Sequence, residues 1–132
     1  MSGAGVPEGR NYTKSHEWWT VDGDQVTLGI TDHAQSELTD IVFVDLPAAG
    51  KAVQVGASML ILESVKTVAD VYAPADGVVA EANSQLKNHP ELINQDPYGQ
   101  GWIVRLKLSG TPSADQKMTA AEYRAFVASG GH

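Results

Sequence analysis

The chain has no cysteine. Disulfides, thiolate nucleophiles and cysteine-held metals are therefore excluded, and any thiol chemistry has to arrive on an attached group. Long apolar runs are missing too: no stretch approaches the roughly 20 residues that a membrane-spanning helix needs. Positive charge is scarce. The formal net charge is -7, which argues against nucleic acid or anionic membrane as a partner, since both require a basic surface. It favours partners with basic docking surfaces. The opening residues, Met1 to Arg10, lack the apolar core of a secretory signal and the Arg-rich pattern of an organelle leader. The expectation is a cytoplasmic protein, mitochondrial only if a leader has been removed.

Catalytic and metal motifs are absent as well. His16, His33, His89 and His132 show no H-x-H or H-x-x-x-H spacing, so no metal ligands are expected. No G-x-S-x-G, G-x-x-x-x-G-K-[ST] or G-x-G-x-x-G occurs, and Gly99-Gln100-Gly101 reads only as a loop. Asp22-Gly23-Asp24 lacks the spaced ligands and closing Glu of a calcium loop, and reads as a turn. No independent active site is expected, and hence no enzyme.

What is present is a pattern of short strands. At 132 residues and 42% hydrophobic, the chain is long enough for one domain with a real core. Residues 1–11 read as a flexible Gly-rich arm and 12–132 as a single domain. Trp18 to Val21 and Val26 to Ile30 form a hairpin around the Asp-Gly turn. Thr31 or Asp32 caps a short helix through Leu38. Ile41 to Leu46 is β-rich and ends at Pro47. Gly77 to Ala82 is a strand, Asn83 to Asn94 holds one or two helical turns broken at Pro90, and Trp102 to Leu108 alternates as a half-buried strand. Thr119-Ala120-Ala121-Glu122 is a capping box that opens a final helix closed by Gly130. Trp18, Trp102, Phe43 and Val44 read as core. The fold class is therefore mainly β, a barrel or sandwich with short peripheral helices and a C-terminal helix.

Lys66 stands out. It lies in Glu63-Ser64-Val65-Lys66-Thr67, between the β-type runs Met59 to Leu62 and Val68 to Tyr72. The turns at Gly56 and at Pro74 to Gly77 flank it at similar distances. Two apolar strands with a short connection form a hairpin, and a lysine at its tip is presented to other proteins for modification or carriage. Hairpin logic alone favours the plainer alternative, in which one of six lysines solubilises a loop. Ser64, two residues before Lys66, suggests a Ser–Lys dyad, but an exposed tip cannot depress a lysine pKa without burial or a cationic neighbour.

Several blocks together resemble the glycine cleavage system H-protein family of lipoyl carriers. They are Ser15-His16-Glu17-Trp18, Gly29 to Gln35, Asp40 to Pro47, Glu63-Ser64-Val65-Lys66, Ala73-Pro74 with Gly77-Val78-Val79, and Leu92-Ile93-Asn94 with Pro97-Tyr98-Gly99 and Gly101-Trp102. The resemblance runs from about Tyr12 to the last helix, in one order and at compatible spacing. It implies a barrel-sandwich hybrid of two antiparallel sheets, with lipoate bound as an amide to Lys66 at a hairpin tip. Biotinyl domains share that fold, but their lysine normally sits between two methionines, whereas Val65 and Thr67 flank this one. Thr67, where Ala is common, and Trp19, where Val is usual, are small departures.

By this likeness the chain is a shuttle. It takes an aminomethyl group from glycine decarboxylase (the pyridoxal-phosphate-dependent P-protein) to aminomethyltransferase (the T-protein). Dihydrolipoamide dehydrogenase (the L-protein) then reoxidises its dithiol. The resemblance also implies a cleft that shelters the loaded arm, formed by Ser15, Glu17, Ile30, Ala34 and Asp70, with the two carboxylates holding the ammonium. The plainer alternative makes Glu17 a surface acid and Asp70 a strand-edge charge. Glu63, with Ser64 and Val65, flanks the lysine where lipoylating enzymes would read it, or only solvates the turn. A relay handing lipoate to other lipoyl domains, or a non-lipoylated β interaction module, are the alternative functions. A shuttle serving three enzymes is expected to work as a monomer.

Overall fold

The computed structural model describes residues 5–112 and 116–130; His132 and the first four residues of the expected arm lie outside that range. Among the described residues nine strands form two antiparallel sheets. They are β1 (Asn11–Tyr12), β2 (Glu17–Asp22), β3 (Gln25–Ile30), β4 (Ile41–Val44), β5 (Ala52–Val53), β6 (Ser58–Ser64), β7 (Val68–Tyr72), β8 (Gly77–Ala82) and β9 (Val104–Leu108). One sheet runs β1-β2-β3-β9-β8-β5 and the other β4-β6-β7; among the described residues they stay two sheets, not closed into a barrel. They are joined by helices that include α1 (Asp32–Leu38), α2 (Leu92–Gln95) and α3 (Ala120–Ala128), with a 3-10 turn at Ser84–Lys87. The expected mainly-β, two-sheet architecture is what the chain adopts.

Burial explains the layering. Leu28, Val79 and Leu106 of the larger sheet share a core with Val44, Leu62 and Val71 of the smaller, and Leu86 and Ile93 close its end. Burying side chains of this size is the main favourable contribution to folding. Gly77 shows how closely backbones approach: a Cβ there would lie 2.5 Å from the Lys107 carbonyl oxygen. A second, aromatic cluster of Tyr12, Trp18, Tyr98 and Tyr123 lies between the start of the larger sheet and α3. Its rings bring polar handles that need partners, and Trp18 Nε1 donates to the Pro97 carbonyl at 2.9 Å. Burial pushes the Tyr98 hydroxyl up to about 12.

Residues 5–10 run against this cluster. Tyr98 Oη donates to the Gly5 carbonyl at 2.7 Å, and the Arg10 guanidinium sits 4.6 Å from the Trp18 ring centroid.

One core expectation is corrected. Phe43 is 49% exposed, and Val42 beside it 53%. The pairing of β4 with β6 passes from Ile41↔Ser64 to Phe43↔Glu63, a β-bulge. A bulge inserts one residue and breaks the two-residue alternation, so Ile41 and Val44 point inward and Phe43 outward. Val44 and Trp18 are buried as expected, while Trp102 is half-buried beneath Arg105.

Candidate functional site

The β6–β7 hairpin closes over Val65, Lys66 and Thr67. Its tip is held by one side chain: Ser64 Oγ accepts from the Lys66 and Thr67 amides at 3.1 and 2.9 Å. The Ser64 amide donates to the Thr67 carbonyl at 2.8 Å, and the Val65 amide to the Asp40 carbonyl at 3.0 Å. With its backbone tied, the tip presents the exposed Lys66 side chain in a defined direction. The amine donates to the Glu37 carbonyl at 3.2 Å, at the end of α1, where the helix dipole favours a cation. Glu63 is half-buried, Ser64 turns inward to the tip backbone, and Val65 is 68% exposed.

Glu37 also belongs to the wall of a cavity of about 190 Å³. Ser15 and His16 line it from the turn before β2, Ile30 from β3, and His33, Ala34, Glu37 and Leu38 from α1. Leu62 of β6 and Ala69 and Asp70 of β7 complete the wall. Ile30, Ala34, Leu38, Leu62 and Ala69 make an apolar interior, while Ser15, the two histidines and the two carboxylates supply polar groups. α1 stands where it does because Thr31 caps it, accepting from the Ala34 amide at 3.1 Å. Asp70 accepts from Ser58 Oγ at 2.8 Å across β6 and β7.

Four of the five expected cleft residues, Ser15, Ile30, Ala34 and Asp70, come together on this wall. Glu17 does not line it. Its carboxylate turns into the body, 1% exposed, and accepts hydrogen bonds from Thr13 Oγ1, from Ser15 Oγ at 2.5 Å and from the Tyr72 amide at 3.1 Å. Burial raises its pKa above the ordinary carboxylate range, and those hydrogen bonds oppose the shift. Glu17 thus stands behind Ser15. His16, His33, Glu37, Leu38, Leu62 and Ala69 line the cavity in addition to the residues that the resemblance implies for it. Helical spacing from Ala34 would have found Glu37 and Leu38 at i+3 and i+4. No cluster of ligands that could hold a metal occurs among the described residues, and no helix there is long and apolar enough to cross a membrane.

The chain is thus a two-sheet β protein that offers a lysine at a tied hairpin tip, beside a largely apolar cavity. The profile of the glycine cleavage H-protein matches residues 10–130. The glycine cleavage system H protein of Coprothermobacter proteolyticus is 52% identical over 123 residues, 92% of this chain and 97% of that one. That of Thermus thermophilus is 47% identical over 124 residues, covering 94% and 97%. The crystal structure of a glycine cleavage system H protein from Mycobacterium marinum superposes with a TM-score of 0.86 at 38% identity, covering 93% of this chain and 99% of that chain. The chain belongs to the glycine cleavage H-protein family.

Proposed function

We propose that this chain is the lipoyl-bearing shuttle of the glycine cleavage system, non-catalytic by itself, with lipoate bound as an amide to Lys66. The observation that carries this reading is the contact of the tip amine, 3.2 Å from a carbonyl of the cavity wall. A tethered arm starting there has its shelter within reach.

The residues present suit the group. Lys66 is exposed for amidation on a fixed turn, apolar side chains suit a methylene chain, and Asp70 suits a cation at its end. Bound to Lys66, the lipoyl group would supply a dithiolane, the chemistry needed to carry an aminomethyl group from glycine decarboxylase to aminomethyltransferase, with dihydrolipoamide dehydrogenase as the partner for its reoxidation. The protein supplies position and reach: Ser64 and Asp40 fix the tip, Ile30 and Leu62 exclude water from the cavity, and Glu17 holds the Ser15 hydroxyl in place. Tethering raises the arm's effective concentration in each partner's site while docking lasts. Glu63, Ser64 and Val65 are the features that lipoylating enzymes meet first at the tip.

The test is reconstitution. The lipoylated chain is expected to support CO2 release from glycine by glycine decarboxylase, and the Lys66→Arg variant to support none. Equal rates from the two proteins would defeat the reading.

A further inference from the structure

His16 holds φ 71°, a left-handed conformation that a residue with a β-carbon adopts only when its surroundings impose it. The turn between β1 and β2 imposes it, with the His16 amide donating to the Thr13 carbonyl at 3.1 Å and the Thr13 amide to the Glu17 carbonyl at 2.9 Å, while the side chain is held from the far end of the chain. His16 Nδ1 and Tyr123 Oη of α3 lie 2.7 Å apart, and the same hydroxyl lies 2.8 Å from Thr31 Oγ1. A consistent proton order runs from the Thr31 hydroxyl to Tyr123 and from Tyr123 to His16. It leaves a Thr31 lone pair for the Ala34 amide that it caps. The Thr31 amide in turn donates to the His16 carbonyl at 3.0 Å. Tyr123 is fully buried, and its ring stacks on Tyr12 at 4.9 Å, so the hydroxyl has no freedom to wander.

The two groups joined by this hydroxyl belong to two walls of the cavity: the Ser15–His16 turn and α1 with its Thr31 cap. We propose that Tyr123 is a positioning residue for the cavity. Docking of the C-terminal helix sets the spacing between these walls through one phenolic hydroxyl. Removing it loosens the shelter while the core stays intact. The cavity's use as the arm's shelter rests on the reading given under Proposed function; the mechanical coupling does not.

The Tyr123→Phe variant separates the roles, because it keeps the stacked ring and deletes only the hydroxyl. In the unlipoylated protein, amide hydrogen exchange at Thr31 is expected to quicken about fivefold relative to wild type, the scale of one lost hydrogen bond. Exchange at the core amides of Val79 and Leu106 is expected to hold. Arg124→Ala, a change on the same helix that removes an exposed ion pair to Glu8 and a hydrogen bond to the Val6 carbonyl, is expected to leave Thr31 unchanged. In the lipoylated protein, the same Phe variant is expected to lose a loaded aminomethyl group faster by a similar factor, with lipoylation of Lys66 undiminished. A Thr31 change no larger than that at Leu106, or one equally produced by Arg124→Ala, would overturn the proposal and make Tyr123 a plain stabiliser. Faster Thr31 exchange with unchanged loss of the aminomethyl group would also overturn it, leaving the carrier reading standing. Failure of Lys66 to take lipoate would sink the carrier reading alone, because Thr31 exchange is measured without lipoate.

Discussion

The β2–β3 hairpin closes over two residues, Gly23 and Asp24, with Gly23 at φ 65°. The β6–β7 hairpin closes over three, Val65, Lys66 and Thr67, and none of them has a positive φ. The first tip is closed by the main chain: Gly23 takes a left-handed φ that favours glycine, and the Leu108 amide donates to the Asp24 carbonyl at 2.7 Å. The second is closed by the Ser64 hydroxyl and by the Asp40 carbonyl. A side chain has taken over the work of a special backbone conformation, so the tip residues are free to carry chemistry. The difference separates a hairpin that only connects from one that presents. Glu17 links the two: it opens β2, and its carboxylate accepts from the Tyr72 amide at the end of β7.

Each part of this contrast can be broken. The largest effect is expected from Lys66→Arg, which should abolish lipoylation and carrier activity while shifting stability by less than about 0.5 kcal/mol, as for most exposed positions. Adding Asp24→Lys to that variant puts a lysine on the other tip and is expected to restore nothing; recovered activity would show that any hairpin lysine suffices. Next comes the link. Glu17→Ala leaves three donors without their acceptor and is expected to cost about 2–3 kcal/mol, read by denaturant unfolding. With Ser15 unanchored, a loaded aminomethyl group should also be lost faster while lipoylation stays intact.

Glu17→Gln probes the charge. A carboxyl whose folded pKa is raised binds more protons in the native state than in the unfolded one. Its contribution to stability therefore falls as pH rises from the ordinary carboxylate value of 4.5 through the raised one. The Gln variant, with its carbonyl toward the Tyr72 amide and its NH2 toward the hydroxyls, should flatten that slope. Gly23→Val should cost about 1–2 kcal/mol through the left-handed φ, with Lys66 lipoylated at the normal rate. A small loss of stability is expected from Ser64→Ala, below about 1 kcal/mol because water replaces exposed bonds. It should nevertheless slow lipoylation, as the tip loses its fixed direction. A Ser64→Ala protein lipoylated at the wild-type rate would show that the tie at the tip is dispensable.

Much of this was legible in the chain, and the reasons are local. The strand Gly77–Ala82 matches its expected bounds residue for residue. The Thr119–Glu122 capping box is made in full, and Thr31 settles the cap of α1. Such features depend on residues a few positions apart. Two-residue strands such as Asn11–Tyr12 and Ala52–Val53 carry no period to read, and the bulge that turns Phe43 outward is set by its pairing with β6. In the site, Lys66 and four cleft residues followed from motif resemblance. The inward turn of Glu17 and the join between His16 and Tyr123, 107 positions apart, are decided only when distant segments meet. Neither has a local signal.

The most direct test of the central claim is peptide mass spectrometry of the chain after exposure to competent lipoylating enzymes and lipoate, beside its Lys66→Arg variant. The account predicts one lipoyl group, found on the peptide containing Lys66 and absent from the variant. A bare Lys66, or a lipoyl group on any other lysine, would contradict it.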